Sequence, residues 1–189
     1  MLKDFLLKLK NRYYSKKYRD FLLKLMPKNS ICAEIGVWKG DFSARILKLA
    51  NPERLHLIDP YLFQGGVNYK NALYGGKAGS QQVLDATYNS VLEKFSSEIT
   101  KGKVVVHRKS SKEASNDFPD NYFDWIYIDG DHQYEFVKKD LELFMKKVKT
   151  GGYITGDDYS ESGWWKGGVK KAVDEFLDKG LIIIPTNLG

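Results

Sequence analysis

The stretch Ile31 to Leu47, ICAEIGVWKGDFSARIL, decides how this chain is read. Ile31 to Ile35 is a short apolar run broken only by Glu34, and a glycine bounds it, which is the pattern of a buried parallel strand. Gly36 to Gly40 forms a turn, and a helix opens at Asp41. The two glycines let the backbone turn tightly and leave the main chain bare, so a ligand can lie against it at the strand's carboxyl end. Ligands with an adenosine part bind at such strand ends.

The turn argues against a dinucleotide. A pyrophosphate site wants G-x-G-x-x-G, in which the second glycine clears space for phosphate. Trp38 fills that position here. Glu34, just before the turn, would repel a phosphate and suits a ligand with positive charge, an ammonium or a sulfonium. That chemistry favours S-adenosylmethionine (SAM) over NAD. The spacing E-x-G-x-x-x-G resembles motif I of the class I SAM-dependent methyltransferases, and Trp38 departs from their commoner three-glycine form. Glu34, Gly36, Val37 and Gly40 are therefore candidate cofactor contacts. A tight turn with no ligand is the competing reading.

The next segments fit an adenosine site. Leu55 to Ile58 reads as a second strand ending at Asp59, an acid placed to accept hydrogen bonds from both ribose hydroxyls. NAD and SAM enzymes both use such an acid, and Asp59 before Pro60 also suits a turn. Residues 60–80 hold five glycines and Tyr61, Phe63, Tyr69 and Tyr74. A loop this long is usually functional or disordered, and it reads as a mobile cover with aromatic walls. A helix is expected from Gln81 to about Ile99. Lys103 to His107 is a third strand. Ser110 and Ser111 beyond it either cap a short helix or bind the adenine edge.

The chemistry concentrates further on. YFDWIYIDGDHQYEF gives a fourth strand, Phe123 to Ile128, running into Asp129, Gly130, Asp131 and His132. KTGGYITGDDY gives a glycine turn, a short fifth strand, and Asp157 and Asp158. Strand ends in a doubly wound sheet face the ligand, so these acids should converge. Converging carboxylates repel unless a cation joins them, and hard oxygen ligands suit Mg²⁺, Mn²⁺ or Ca²⁺. One cysteine and three scattered histidines give no zinc spacing. His132 is the candidate general base, since an ordinary imidazole titrates at about 6.5; it also suits a helix cap. Asp131 either orients it or adds a fourth acid.

The run IDGDHQYE, then GG, then GDDY, resembles the class I methyltransferases of the TylF/macrocin O-methyltransferase and cephalosporin-hydroxylase-like groups, and more distantly the catechol and caffeoyl-CoA O-methyltransferases. The resemblance spans roughly residues 29–178. It implies a divalent cation on Asp129, Asp157 and Asp158, with Asp129 also beside the cofactor and catalytic together with His132. It implies methyl transfer to an oxygen of a small-molecule acceptor, a hydroxylated compound or sugar. An NAD(P)-dependent sugar-modifying enzyme is the alternative, as Tyr134 and Lys138 have the Tyr-x-x-x-Lys spacing of short-chain dehydrogenases. A SAM-binding scaffold without catalysis is another.

The expected fold is α/β: a doubly wound, mostly parallel sheet of about six strands, Rossmann-like, with the sixth at Leu181 to Ile184. Class I methyltransferases end with one more antiparallel strand. No segment for it remains before Gly189, so an open or partner-covered edge is expected. The 189 residues suffice for one domain, at 29–189, with a sizeable core.

The formal charge of +6 belongs to an arm. Residues 1–28 carry nine Lys or Arg and two Asp, which leaves the remainder near neutral. No nucleic-acid partner is therefore expected. Leu2, Phe5, Leu6 and Leu9, then Phe21, Leu22 and Leu25, repeat at helical spacing up to Pro27. Such basic amphipathic helices pack on their own domain, pair with a second copy in a homodimer, or make weak contact with an acidic membrane surface. Trp164 and Trp165 either wall the acceptor pocket or pack. A single cysteine, Cys32, and the lack of a long apolar run point to a cytoplasmic protein.

Overall fold

The computed structural model describes residues 17–177. Five strands, β1 (Ile31–Ile35), β2 (Arg54–Ile58), β3 (Val104–His107), β4 (Phe123–Ile128) and β5 (Val148–Gly156), form one parallel sheet in the order β3-β2-β1-β4-β5. The chain steps outward from β1 to β3, then returns to the other side of β1 for β4 and β5. The direction reverses between β1 and β4, and the crevice for a ligand lies beyond their carboxyl ends. Ile35 stands opposite both Ile58 and Ile128. Three strands therefore end level and carry Gly36, Asp59 and Asp129 to one edge.

Both faces are covered, which is why the central strands read as nearly unbroken apolar runs. Residues alternate between the faces. Trp125 and Tyr127 join one core with Leu22, Leu23, Ile46, Leu84 and Val91. These come from helix α1 (17–25), α2 (Asp41–Leu49) and α3 (Gln81–Lys94). Ile126 and Ile128 join the other core with Ala114, Leu141, Phe144, Ala172 and Phe176, from α5 (Ser111–Ser115), α6 (Tyr134–Met145) and α7 (Gly168–Leu177). Each fully buried side chain such as Phe144 contributes about 1.5–3 kcal/mol.

Three details differ from expectation. The helix from Gln81 is broken at Phe95, where φ −108° and ψ 17° leave helical geometry before the short α4 (Ser96–Thr100). The break delivers the buried Phe95 ring to the glycine turn. A Cβ on Gly40 would lie 2.7 Å from it. The glycine pair 151–152 is not a turn before β5 but lies inside it, at an irregularity in its pairing with β4. On α1 and the residue that follows it the buried face is Leu22, Leu23 and Met26, while Phe21 and Leu25 turn outward. The second half of the basic arm thus packs into the domain's core.

Residues 60–80 fold compactly around one 3-10 turn (Val67–Tyr69). Gln81 ties the loop down, accepting from the Phe63 N–H at 2.9 Å and donating to the Tyr61 carbonyl at 2.8 Å. The expected sixth strand and the first half of the arm, with Leu2, Phe5, Leu6 and Leu9, lie outside the described residues. No helix among those described is long and apolar enough to cross a membrane.

Candidate active site at the carboxyl edge of the sheet

The glycine turn is shaped by what touches it. Gly36 has φ +89°, and a Cβ there would sit 2.1 Å from the Asp129 carbonyl oxygen. Its N–H donates to the Ile58 carbonyl at 2.9 Å, while Asp129 N–H donates to Ile35 at 2.7 Å. The turn is thereby pinned to β2 and β4 together. Trp38, in place of the second glycine, keeps the glycine-like conformation at φ +53°, which costs a residue with a Cβ about 1–2 kcal/mol.

Asp59 stands beside this turn, where its spacing places it, and braces it. Its Oδ2 accepts from Val37 N–H at 2.9 Å and Trp38 N–H at 3.1 Å. Its Oδ1 accepts from Tyr61 N–H at 2.8 Å. Burial raises the carboxyl above its usual range against the pull of these three donors. The carboxylate stays half-buried, with lone pairs beyond those used by the three backbone donors.

Glu34 is 2% exposed and accepts from Ser43 Oγ at 2.5 Å. Burial holds it well above the usual carboxyl range. The Ser43 bond and Arg19 work against this, and the negative charges of Asp129 and Asp59 work with it. A buried acid among acids is stabilised in its charged form by a positive ligand.

Ser110 and Ser111 have other partners. Ser110 is an N-cap in a reciprocal capping box with Glu113. Ser111 donates to the buried Asp140. The capping alternative describes Ser110, and each hydroxyl gives its proton to a carboxylate, Glu113 for Ser110 and Asp140 for Ser111.

Asp129, His132 and Asp158 converge, each offering one ligand atom within 4.8 Å of the others. His132 Nε2 lies 3.2 Å from Asp129 Oδ1 and 2.8 Å from Asp158 Oδ2. Its ring packs on Trp165 with centroids 4.9 Å apart, and its buried Nδ1 has no partner. Burial alone would lower the ring's pKa, but the two carboxylates outweigh burial and push it up to about 9. The two carboxylates thus favour the charged ring, whereas a general base at His132 needs the neutral one.

Asp157 does not join this cluster. Successive residues leaving a strand point to opposite sides, so Asp158 faces His132 and Asp157 pairs with Arg19 of α1. Only two of the three expected carboxylates converge, and His132 takes the third place.

The 60–80 loop reaches the same edge. Tyr69 and Tyr74 pack on each other and on Trp164, with centroids 5.7–6.5 Å apart, and burial first, then the nearby Asp131, raises both phenols above their ordinary range. Asp131 accepts from Gln133 N–H at 3.0 Å, turning the chain into α6. Tyr134 and Lys138, the dehydrogenase-like pair, instead bond Glu175 of α7. Sequence reasoning missed Arg19, whose partner Asp157 follows β5, far along the chain. It also missed the buried, unpartnered Tyr127 hydroxyl.

Residues 33–159, about two thirds of the chain, match the model of a methyltransferase domain family. Over 44 residues the chain is 50% identical to uncharacterized protein R132 of Acanthamoeba polyphaga mimivirus. The match spans 23% of this chain and only 20% of that protein. Among solved structures, a Clostridium thermocellum protein designated an rRNA-methylase aligns with TM-score 0.59 at 17% identity, over 88% of this chain and 79% of its own. Precorrin-6y C5,15-methyltransferase from Geobacter metallireducens GS-15 aligns with TM-score 0.57 at 14% identity, over 86% and 69%. A Streptococcus mutans protein designated a methyltransferase, solved with S-adenosylhomocysteine (SAH), aligns with TM-score 0.53 at 15% identity, over 87% and 80%. At such identities these likenesses speak to fold. The chain belongs to this methyltransferase domain family and has the Rossmann-like fold of the SAM-dependent methyltransferases.

Proposed function

We propose that this protein transfers the methyl group of SAM to an oxygen of a hydroxylated small molecule or sugar, with a divalent cation at Asp129, His132 and Asp158. The observation that carries this reading is the meeting of those three side chains at the ends of β4 and β5, beside the glycine turn. Two carboxylates and an imidazole suit Mn²⁺ better than the all-oxygen preference of Mg²⁺ or Ca²⁺.

SAM supplies a methyl group already activated by its sulfonium. An ion held by Asp129, His132 and Asp158 would act as a Lewis acid on the acceptor hydroxyl and lower its pKa. The chain's own task is alignment and exclusion of water. The turn at Gly36 and the brace at Asp59 hold the adenosine end. Glu34 faces the cationic end. Tyr69, Tyr74 and Trp164 roof the acceptor side. The proton of the acceptor passes to a carboxylate, and Asp158 is the more open of the two in the cluster, its side chain 34% exposed against 25% for Asp129.

The free, buried Cys32 supports a cytoplasmic setting. Calorimetry with SAM, SAH and NAD tests the cofactor: SAM and SAH bind, and NAD does not. NAD binding without SAH would sink the reading. Mn²⁺ is expected to raise the melting temperature of wild type and not of Asp129→Ala. If Mn²⁺ and EDTA leave stability and turnover unchanged, the cation is excluded. The second reading then holds, in which the His132 imidazolium itself balances Asp129 and Asp158.

A further inference from the structure

Arg19 of α1 reaches into the crevice. Leu22, Leu23 and Met26 seat α1 on the sheet. Arg19 lies one helical turn before Leu22 and Leu23 on the same face, so its side chain runs past the apolar layer. Its guanidinium lies 5.6 Å from the Phe42 ring centroid, at the opening of α2. Next to it, Asp20 takes Nε and Nη2 of Arg45 on α2, at 3.0 and 2.5 Å, which fixes the helix in place.

The guanidinium is only half used. Nη2 pairs with Asp157 at the end of β5, while Nε is buried with no partner. Nε and Nη2 form the side of an arginine that grips a carboxylate with two parallel bonds. The Tyr127 hydroxyl, packed on Phe42 with centroids 4.2 Å apart and within electrostatic reach of Arg19, is also buried without a partner. Buried donors left open cost stability until an acceptor arrives. Around them the crevice is acidic: Glu34, Asp129 and Asp157. Among the described residues, these acids would repel a ligand carboxylate and Arg19 would attract it.

We propose that Arg19 binds the α-carboxylate of the cofactor's amino-acid end, so that the basic arm supplies part of the cofactor site. This rests on the SAM reading above. Glu34 and its acidic neighbours take the positive charges of the zwitterion, and the Arg19 fork takes the negative one. Asp157, sharing the fork, positions it.

Calorimetry on the full chain tests this with two probes, SAH and its decarboxylated analogue S-adenosyl-3-thiopropylamine, which keeps the ammonium and lacks the carboxylate. Arg19→Met is expected to weaken SAH by about 10- to 100-fold, the range of a lost charge-assisted bond. It should leave the amine within about twofold of its wild-type affinity. Arg19→Lys, which keeps the charge without the fork, should fall between. Binding of the amine by Arg19→Met also reports that the variant is folded. Equal weakening of both probes would mean that Arg19 only seats α1, and unchanged SAH binding would mean that it has no ligand role. Either overturns the proposal while leaving the SAM reading intact. If wild type binds neither probe, both fall.

Discussion

At Gly36 a methyl group has no room. The Asp129 carbonyl occupies the space 2.1 Å from where a Cβ would sit, and φ +89° is strained for any residue that has one. Left-handed strain of about 1–3 kcal/mol and a clash of similar size act together. Gly36→Ala is expected to lose about 3 kcal/mol or more, measured by urea unfolding, and to bind SAH poorly even where it stays folded. A loss under about 1 kcal/mol would show that β4 yields easily and that the turn is not held as described. Trp38 tells the complementary story, because the glycine position persists in its φ of +53° although the glycine has gone. At this scale the sequence is legible where a conformation is demanded locally, as at Glu34, Gly36, Gly40 and Asp59. It is silent where the partner is distant. Nothing around Arg19 announces a contact with Asp157, and nothing around Ser111 announces Asp140.

Elements decide which side of a crevice a residue serves. The acids at 157 and 158 look like a pair in the sequence, but a strand end splits neighbours between its two sides, giving one to Arg19 and one to His132. Their substitutions should therefore part company. Asp158→Asn is expected to weaken Mn²⁺ binding by about tenfold or more, since it removes a charged ligand, when free Mn²⁺ is counted by electron paramagnetic resonance. Asp157→Asn should leave Mn²⁺ binding within about twofold and weaken SAH instead. Equal effects of the two on Mn²⁺ would restore the triad of carboxylates expected from the resemblance. Helix and strand periodicity found the elements themselves with few errors. It failed where tertiary packing overrides it. The Phe95 break exists because the ring is needed at Gly40, and the inner face of α1 is chosen by the sheet it meets.

For the whole molecule, the order β3-β2-β1-β4-β5 gathers these groups at one edge and leaves a different set of titrating groups in the body of the fold. His56 on β2 is 5% exposed, 2.9 Å from His107 and 3.2 Å from the Tyr122 hydroxyl. Burial, helped by the His107 and Arg54 charges, pulls its pKa down to about 4. Burial likewise lowers His107. Between pH 4 and about 6.5 the unfolded chain therefore binds a proton that the folded chain refuses. Stability from His56 is fully present above pH 6.5 and is lost as pH falls towards 4, by about 3 kcal/mol in all. Asp140 acts in the opposite sense. Burial first, offset by the Ser111 bond and aided by Asp131, raises it to about 6. The folded chain then takes up a proton early and gains stability as pH falls from 6 towards 4, about 2 kcal/mol of it by pH 4.5. Across this window the two groups therefore oppose one another in the wild type. Asp140→Asn should make the stability profile steeper, with unfolding free energy dropping about 2 kcal/mol further between pH 7 and 4.5 than in wild type. Adding His56→Gln to that variant should flatten it again. Carboxylates shared by all three proteins cancel in the comparison, so slopes from urea titrations at several pH values give the answer. If Asp140→Asn follows the wild-type profile, the buried acid and the buried histidine do not oppose one another as their surroundings require.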